Sequence, residues 1–296
     1  MAPRLSVVIA SVNGLPAIQE CLERLEALAE SDQMEILVLD RRTDGTAQAI
    51  AERFPRVAVT AGLAGKSIPA LRWMGMRAAR GEMIAVLEDH CMVAPQWAAE
   101  ILRYADSPYG VVGGPVENGA TERILDGAFF LAEYGALMPP LPEGEANSVA
   151  GNNAAYRRNV LPLDEEIWSR RWESFLQAEL RRRGARMWLN PAMLVYHKKS
   201  FRLGEMLSQR FLYSRSFAAM RAESMGVAAR VAYAGLSALL PAVLLWRIIR
   251  TAGSKFCKFA ELAPALPVIL LFVTAWAAGE MVGYLAGSGD SLARVE

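Results

Sequence analysis

Short apolar runs alternate with helix-length segments over the first two thirds of this 296-residue chain, which predicts an α/β fold on a mostly parallel sheet with helices on both faces. Two observations sharpen that expectation. The runs are rich in Val, Ile and Leu without strict alternation, as in strands buried on both faces. Several of them end in acidic residues, at the carboxyl ends where ligands sit in such sheets.

The expected strands are residues 5–11 (LSVVIAS), 35–39 (EILVL), 56–60 (RVAVT), 83–88 (MIAVLE) and 110–113 (GVVG). Between them, 16–29, 43–53, 67–80 and 96–105 carry apolar residues at spacings of three and four and are expected to be helices. Residues 114–150 break the rhythm with Gly-Gly-Pro, a helix-like 122–137 and the turn MPPLPEGE, and read as an inserted acceptor-side region. A helix over about 171–183, closed by Gly184, then leads to strands at 185–189 and 192–196.

The tail differs in kind. Seven Lys or Arg stand against two Glu between 198 and 230, with aromatics interleaved, and two apolar blocks follow at 231–246 and 262–289. A spanning helix needs about 20 apolar residues, so the second block is long enough and the first is marginal. A basic, aromatic-bearing segment ahead of apolar helices fits an anionic membrane surface, at about 1 kcal/mol per Lys or Arg. The basic connector at Arg247, Arg250, Lys255 and Lys258 would lie on the opposite side if both blocks spanned, which favours a first block that is re-entrant or interfacial. The N-terminus runs directly into a strand without the pattern of a secretory signal, and Cys21, Cys91 and Cys257 show no paired spacing. Reduced structural thiols and cytosolic synthesis are expected.

The strand ends deliver the candidate chemistry. The first ends in Ser11-Val12-Asn13-Gly14, the second in Asp40 followed by Arg41-Arg42-Thr43-Asp44-Gly45-Thr46, and the fourth in Glu88-Asp89-His90. An acid there can accept from a base or a ribose hydroxyl, or hold a hard cation against a diphosphate. Asp44 reads equally well as a turn or helix cap. Gly65-Lys66-Ser67 does not make a phosphate loop, because Thr60 stands where that motif needs its first Gly.

Over roughly residues 4–197 the order of motifs resembles the family-2 glycosyltransferases. The pieces are SVVIASVNG, EILVLDRRTDGT, LRWMGMRAARGEMIAVLEDH, SVAGNNAAYRR and WESFLQAELRRRGARMWLNPAMLVYH. The resemblance implies a GT-A fold with a nucleotide-sugar-binding half at 1–113 and an acceptor and catalytic half at 114–197, then a basic juxtamembrane segment at 198–230 and membrane helices at 231–296. It implies nucleotide contacts from Ala10, Asn13, Asp40, Arg72, Glu88 and Asp89, and donor contacts from Asn153 and Trp172, the latter stacking on a sugar ring. Trp73 stands where many relatives carry Asn. Glu88 and His90 fall on the first and last members of the family's Asp-x-Asp, and His197 on a further ligand position, so a divalent metal is expected on Glu88, His90 and His197. Imidazole is a softer donor than carboxylate and tilts the choice from magnesium toward manganese. Asp89 replacing His90, or a metal-free site using Arg and Lys, are the alternatives.

Direct displacement at the sugar carbon needs a base for the acceptor hydroxyl. Aligned on Gly184, Glu173 falls on the family's catalytic acid, with Glu165 and Glu166 as rivals. The implied activity is inverting transfer from a nucleotide-sugar, UDP-linked by expectation, to a lipid-linked or surface-polysaccharide acceptor at the cytoplasmic face of the inner membrane. Expected partners are that donor, a lipid-linked or glycan acceptor and membrane lipids, without nucleic acid. A non-catalytic membrane-docked scaffold of the same fold is the rival reading, and nucleotidyl transfer lacks a matching Gly-rich loop at residues 10–20.

Overall fold

A computed structural model describes residues 2–255 and 263–296. Cys257, Lys258 and the first residue of the 262–289 block lie outside the described residues. The chain forms two compact units, one of residues 1–119 and 139–198, the other of residues 120–138 and 199–296.

The first unit is built on an eight-stranded sheet. The expected strands are present as β1 (Leu5–Ser11), β2 (Met34–Asp40), β3 (Val57–Thr60) and β4 (Met83–Glu88), with β5 (Cys91–Val93), β6 (Tyr109–Gly113), β7 (Val116–Asn118), β8 (Gly144–Glu145), β9 (Asn153–Arg157), β10 (Arg186–Leu189) and β11 (Val195–His197) following. The order is β3-β2-β1-β4-β9-β6-β10-β8, and β5-β11-β7 forms a separate three-stranded sheet. β1, β2, β3 and β4 are mutually parallel, β10 runs parallel to β6, and β9 is antiparallel to both of its neighbours. The helices α1 (Ala17–Glu26), α2 (Thr46–Arg53), α3 (Ile68–Ala78), α4 (Trp97–Leu102) and, after residue 138, α6 (Glu173–Arg182) flank it.

The apolar runs form strands because every residue of β1 is buried, and β4 is buried up to its last residue, which opens toward the ligand end. α3 lies directly on β1 and β2, since a Cβ at Gly75 would fall 2.3 Å from Val8 Cγ1 and 2.7 Å from Leu39 Cδ2. Ser67 starts α3, its hydroxyl accepting from Ala70 N at 3.3 Å, so the Gly65-Lys66-Ser67 triplet serves a helix cap.

The second unit departs from the expected division. Helix α5 (Ile124–Tyr134), expected inside a continuous 1–197 domain, belongs here. The reason is apolar: Leu125, Phe129, Leu131 and Ala132 pack on a cluster of Phe201, Met206, Ile269, Phe272 and Val273. Helix α7 (Leu203–Ala222) approaches the helix Leu266–Ala286 so closely that a Cβ at Gly279 or Gly283 would overlap its backbone, the use of small residues common between membrane helices. Among the described residues, two helices are long and apolar enough to cross a membrane by length and composition, Val227–Lys255 at mean hydropathy 1.7 and Ala263–Ala286 at 1.8. The first continues through Lys255. Arg247, Arg250 and Lys255 therefore lie within that helix rather than in a separate connector.

Candidate active site

The turn between β4 and β5 carries Glu88, Asp89 and His90 to the end of the sheet. Asp89 anchors it. One carboxylate oxygen accepts from the backbone N–H groups of Val12 and Asn13 at 2.8 and 2.7 Å, and the other from Asn13 Nδ2 at 2.6 Å, with His90 Nδ1 at 2.9 Å. Burial pushes this carboxyl up, but the His90 and Asn13 contacts outweigh burial and hold it at about 2. An ionised Asp89 can accept from an Nδ1–H of His90 and turn Nε2 toward His197 and Glu88, the arrangement that orients metal-bound imidazoles.

His197 reaches the same point because β11 runs antiparallel to β5 with His197 opposite Cys91. The two imidazoles meet edge to face, Nε2 to Nε2 at 2.9 Å, and Glu88 Oε2 stands 3.4 Å from His90 Nε2 and 3.9 Å from His197 Nε2. Ligand bonds of about 2.1 Å give edges of roughly 3.0 Å in an octahedron and 3.4 Å in a tetrahedron. Two edges of the triangle match these values and the third, at 3.9 Å, is longer, so the three groups are close enough together to hold one ion, and their donor set suits a divalent transition ion. Asp89, the expected substitute for His90, is fully engaged behind it.

Arg72 links this triangle to the candidate base. One guanidinium nitrogen lies 3.1 Å from Glu88 Oε1, and the other lies 2.6 Å from Glu173 Oε1. Glu173 is the first residue of α6 and is buried, held close by the backbone at Gly151, where a Cβ would lie 3.3 Å from its own. Glu165 and Glu166 are not part of this cluster: Glu165 pairs at the surface with Arg183 at 2.7 Å, and Glu166 is exposed.

Asp40 is wholly buried and pairs in register with Ser11. Its Oδ1 accepts from Arg42 N, and its Oδ2 has no hydrogen-bond partner among the described residues. Burial raises its carboxyl above the usual range. Ala10 lies buried in β1, opposite Glu88 of β4 and Leu39 of β2. Asp44 has the turn role, accepting from Thr46 N and Oγ1 and pairing with Arg42 at 2.7 Å.

Two expectations need correction. Asn153, expected at the donor, is fully buried and fully engaged: its amide donates to Pro115 O and Met193 O at 2.9 and 2.7 Å and accepts from Trp97 Nε1 at 2.9 Å. It clasps three loops together and has no atom left for a sugar. Its neighbour Asn152, also buried, faces the site instead, with Nδ2 at 3.2 Å from Glu88 Oε2 and Oδ1 without a hydrogen-bond partner among the described residues. Trp172, expected to stack on a sugar, is 3% exposed and presents no open ring face. Trp73 is likewise buried, its Nε1 without a hydrogen-bond partner among the described residues. Cys21 and Cys91 are buried free thiols whose burial pushes their pKa values up, so they pack rather than react.

Residues 6–162 match the model of glycosyl transferase family 2, over half of the chain. The chain belongs to that family. The matched range holds Asp40, Arg72, Glu88, Asp89, His90 and Asn152 but ends before Glu173 and His197, whose place in the site rests on the distances above. Among solved structures, the mannosyltransferase PcManGT from Pyrobaculum calidifontis, in complex with GDP-Man and Mn2+, is similar at 19% identity and TM-score 0.49, over 97% of this chain and 75% of that one. No curated protein matches the sequence. The family makes this chain a glycosyltransferase of the nucleotide-sugar class, on a mostly parallel α/β sheet of GT-A type.

Proposed function

We propose that the protein is an inverting, metal-dependent glycosyltransferase that works at a membrane surface, moving a sugar from a nucleoside diphosphate to a lipid-linked or surface-polysaccharide acceptor. The observation that carries this reading is the continuous chain of contacts from the buried His197 and His90 through the half-buried Glu88 to the buried Arg72 and Glu173. Metal-ligating groups stand at one end and a carboxylate at the other.

In this reading Glu88, His90 and His197 hold a divalent ion, manganese by their donor chemistry, which when bound neutralises charge on the departing diphosphate. Asp40 accepts from the nucleoside base. Glu173 takes the proton of the acceptor hydroxyl as that oxygen attacks the sugar carbon and the bond to the diphosphate breaks. One displacement inverts the anomeric centre. The two apolar helices and the basic residues of 198–230 support the membrane location, with the transferase unit on the cytoplasmic side and in bacterial terms at the inner membrane.

Electron paramagnetic resonance of manganese with the detergent-solubilised protein tests the metal site. The wild type is expected to take up one ion. His90→Ala and His197→Ala should each weaken uptake by at least about tenfold to a hundredfold. Unchanged uptake in both variants would remove the metal from this reading.

A further inference from the structure

Arg72 occupies an unusual position for a residue expected at the nucleotide. Its side chain is only 4% exposed and lies between two carboxylates, 2.6 Å from Glu173 and 3.1 Å from Glu88. Glu173 is the carboxylate to which the proposed function assigns the proton transfer, and the inference rests on that assignment. A carboxylate oxygen held in a charge-assisted bond by a guanidinium is not available to an incoming hydroxyl, because the bond occupies its lone pair and the guanidinium stands where the hydroxyl would approach. As it stands in the structure, the Oε1 of the base is masked.

The mask has a removable half. Glu88 uses its other oxygen, Oε2, toward His90, His197 and Asn152 Nδ2. An anion bound beside that triangle is therefore within the neighbourhood of the same guanidinium. A diphosphate carries more charge than one carboxylate and offers a paired array of oxygens suited to the guanidinium fork. It competes with Glu173 for Arg72, and its arrival frees the base.

We infer that Arg72 is a latch that masks Glu173 until a nucleoside diphosphate draws the guanidinium away, so that the base becomes competent only when the donor is in place. Arg72 is here a positioning residue. The latch imposes donor-first order and keeps Glu173 from activating a hydroxyl in an empty site.

The competition is measurable without turnover. If Glu173 and the diphosphate share one cation, neutralising Glu173 must tighten nucleotide binding. UDP and GDP, each with manganese, are titrated calorimetrically into the full-length protein, into Glu173→Gln, and into both again on an Arg72→Gln background. Glu173→Gln is expected to tighten the nucleotide that binds by about tenfold, since a buried charged partner no longer competes. On the Arg72→Gln background the same change should matter less than about twofold. Glu173→Asp, which keeps the charge but shortens the reach, should show a smaller gain in the same direction and covers the case in which Glu173→Gln misfolds by thermal melting. Equal affinity of wild type and both Glu173 variants would overturn the latch, as would an equal gain on both backgrounds, because that is a general field effect. Absence of binding by either nucleotide to the wild type would instead overturn the donor site and the latch with it.

Discussion

Glu173→Gln is expected to lower the rate of sugar transfer by about a thousandfold, within the range that a positioned general base supplies, while nucleotide binding is not weakened. Gln has nearly the shape of Glu and its amide oxygen still accepts from Arg72, so the Arg72–Glu88 contact at 3.1 Å and the start of α6 should persist. What is lost is the capacity to take a proton. The effect should therefore appear in kcat and not as a rise in donor KM. Rapid-quench or product-release assays with an accepted donor check this, alongside thermal melting to show an intact fold. Wild-type turnover in Glu173→Gln would take the residue out of the mechanism, since Glu165 and Glu166 lie outside the cluster.

Asp89→Asn should have the largest effect on the fold around the site. Asp89 accepts two backbone N–H groups and the Asn13 amide and faces His90 Nδ1, four contacts on one fully buried carboxylate. An Asn has one acceptor oxygen, and its NH2 faces donors whichever way the amide is turned. Losing charge-assisted bonds in a buried position costs about 3 kcal/mol, which for a domain of this size lowers Tm by about 6–12 °C. The variant should also change the acid limb of stability. With the carboxyl held at about 2 against 3.8 ordinarily, the stability from Asp89 is whole above that ordinary value and is lost as pH falls through about 2. Asp89→Asn should flatten that part of the curve. A melting profile between pH 2 and 7 that superimposes on the wild type would show that Asp89 does not anchor the turn.

The nucleotide-binding strands were legible because burial on both faces demands uninterrupted Val, Ile and Leu, and β1 and β4 match the expected runs end to end. β9 was not. Its sequence, Asn-Ala-Ala-Tyr-Arg, follows a Gly-Asn turn and carries little local strand preference, and only its place between β4 and β6 makes it a central strand. The same blindness explains Asn152 and Asn153. Neighbours at the start of a strand point opposite ways, so one faces Glu88 and the other the packed interior. Composition does not tell them apart.

The histidines and acids of the site were legible as residue types at strand ends, whereas the bond from Arg72 to Glu173 joins distant helices and has no signature in either segment. The division into units was misread for a related reason. The apolar spacing of α5 shows that it has a face to bury, but not that the face belongs with Phe201 and Phe272. A chain cut near Phe201 therefore leaves Leu125 and Phe129 without their cover.

On the proposed reading, Glu88, His90 and His197 make this family member a metal-dependent nucleotide-sugar transferase. That reading is tested most directly by incubating the detergent-solubilised full-length protein with a panel of UDP- and GDP-sugars and following nucleoside diphosphate release, with manganese or with a chelator. Release from at least one donor is expected with manganese, with its loss in the chelator and in His90→Ala and His197→Ala even with manganese. Donor turnover that is equal with manganese and with the chelator, or that survives in both histidine variants, would contradict it.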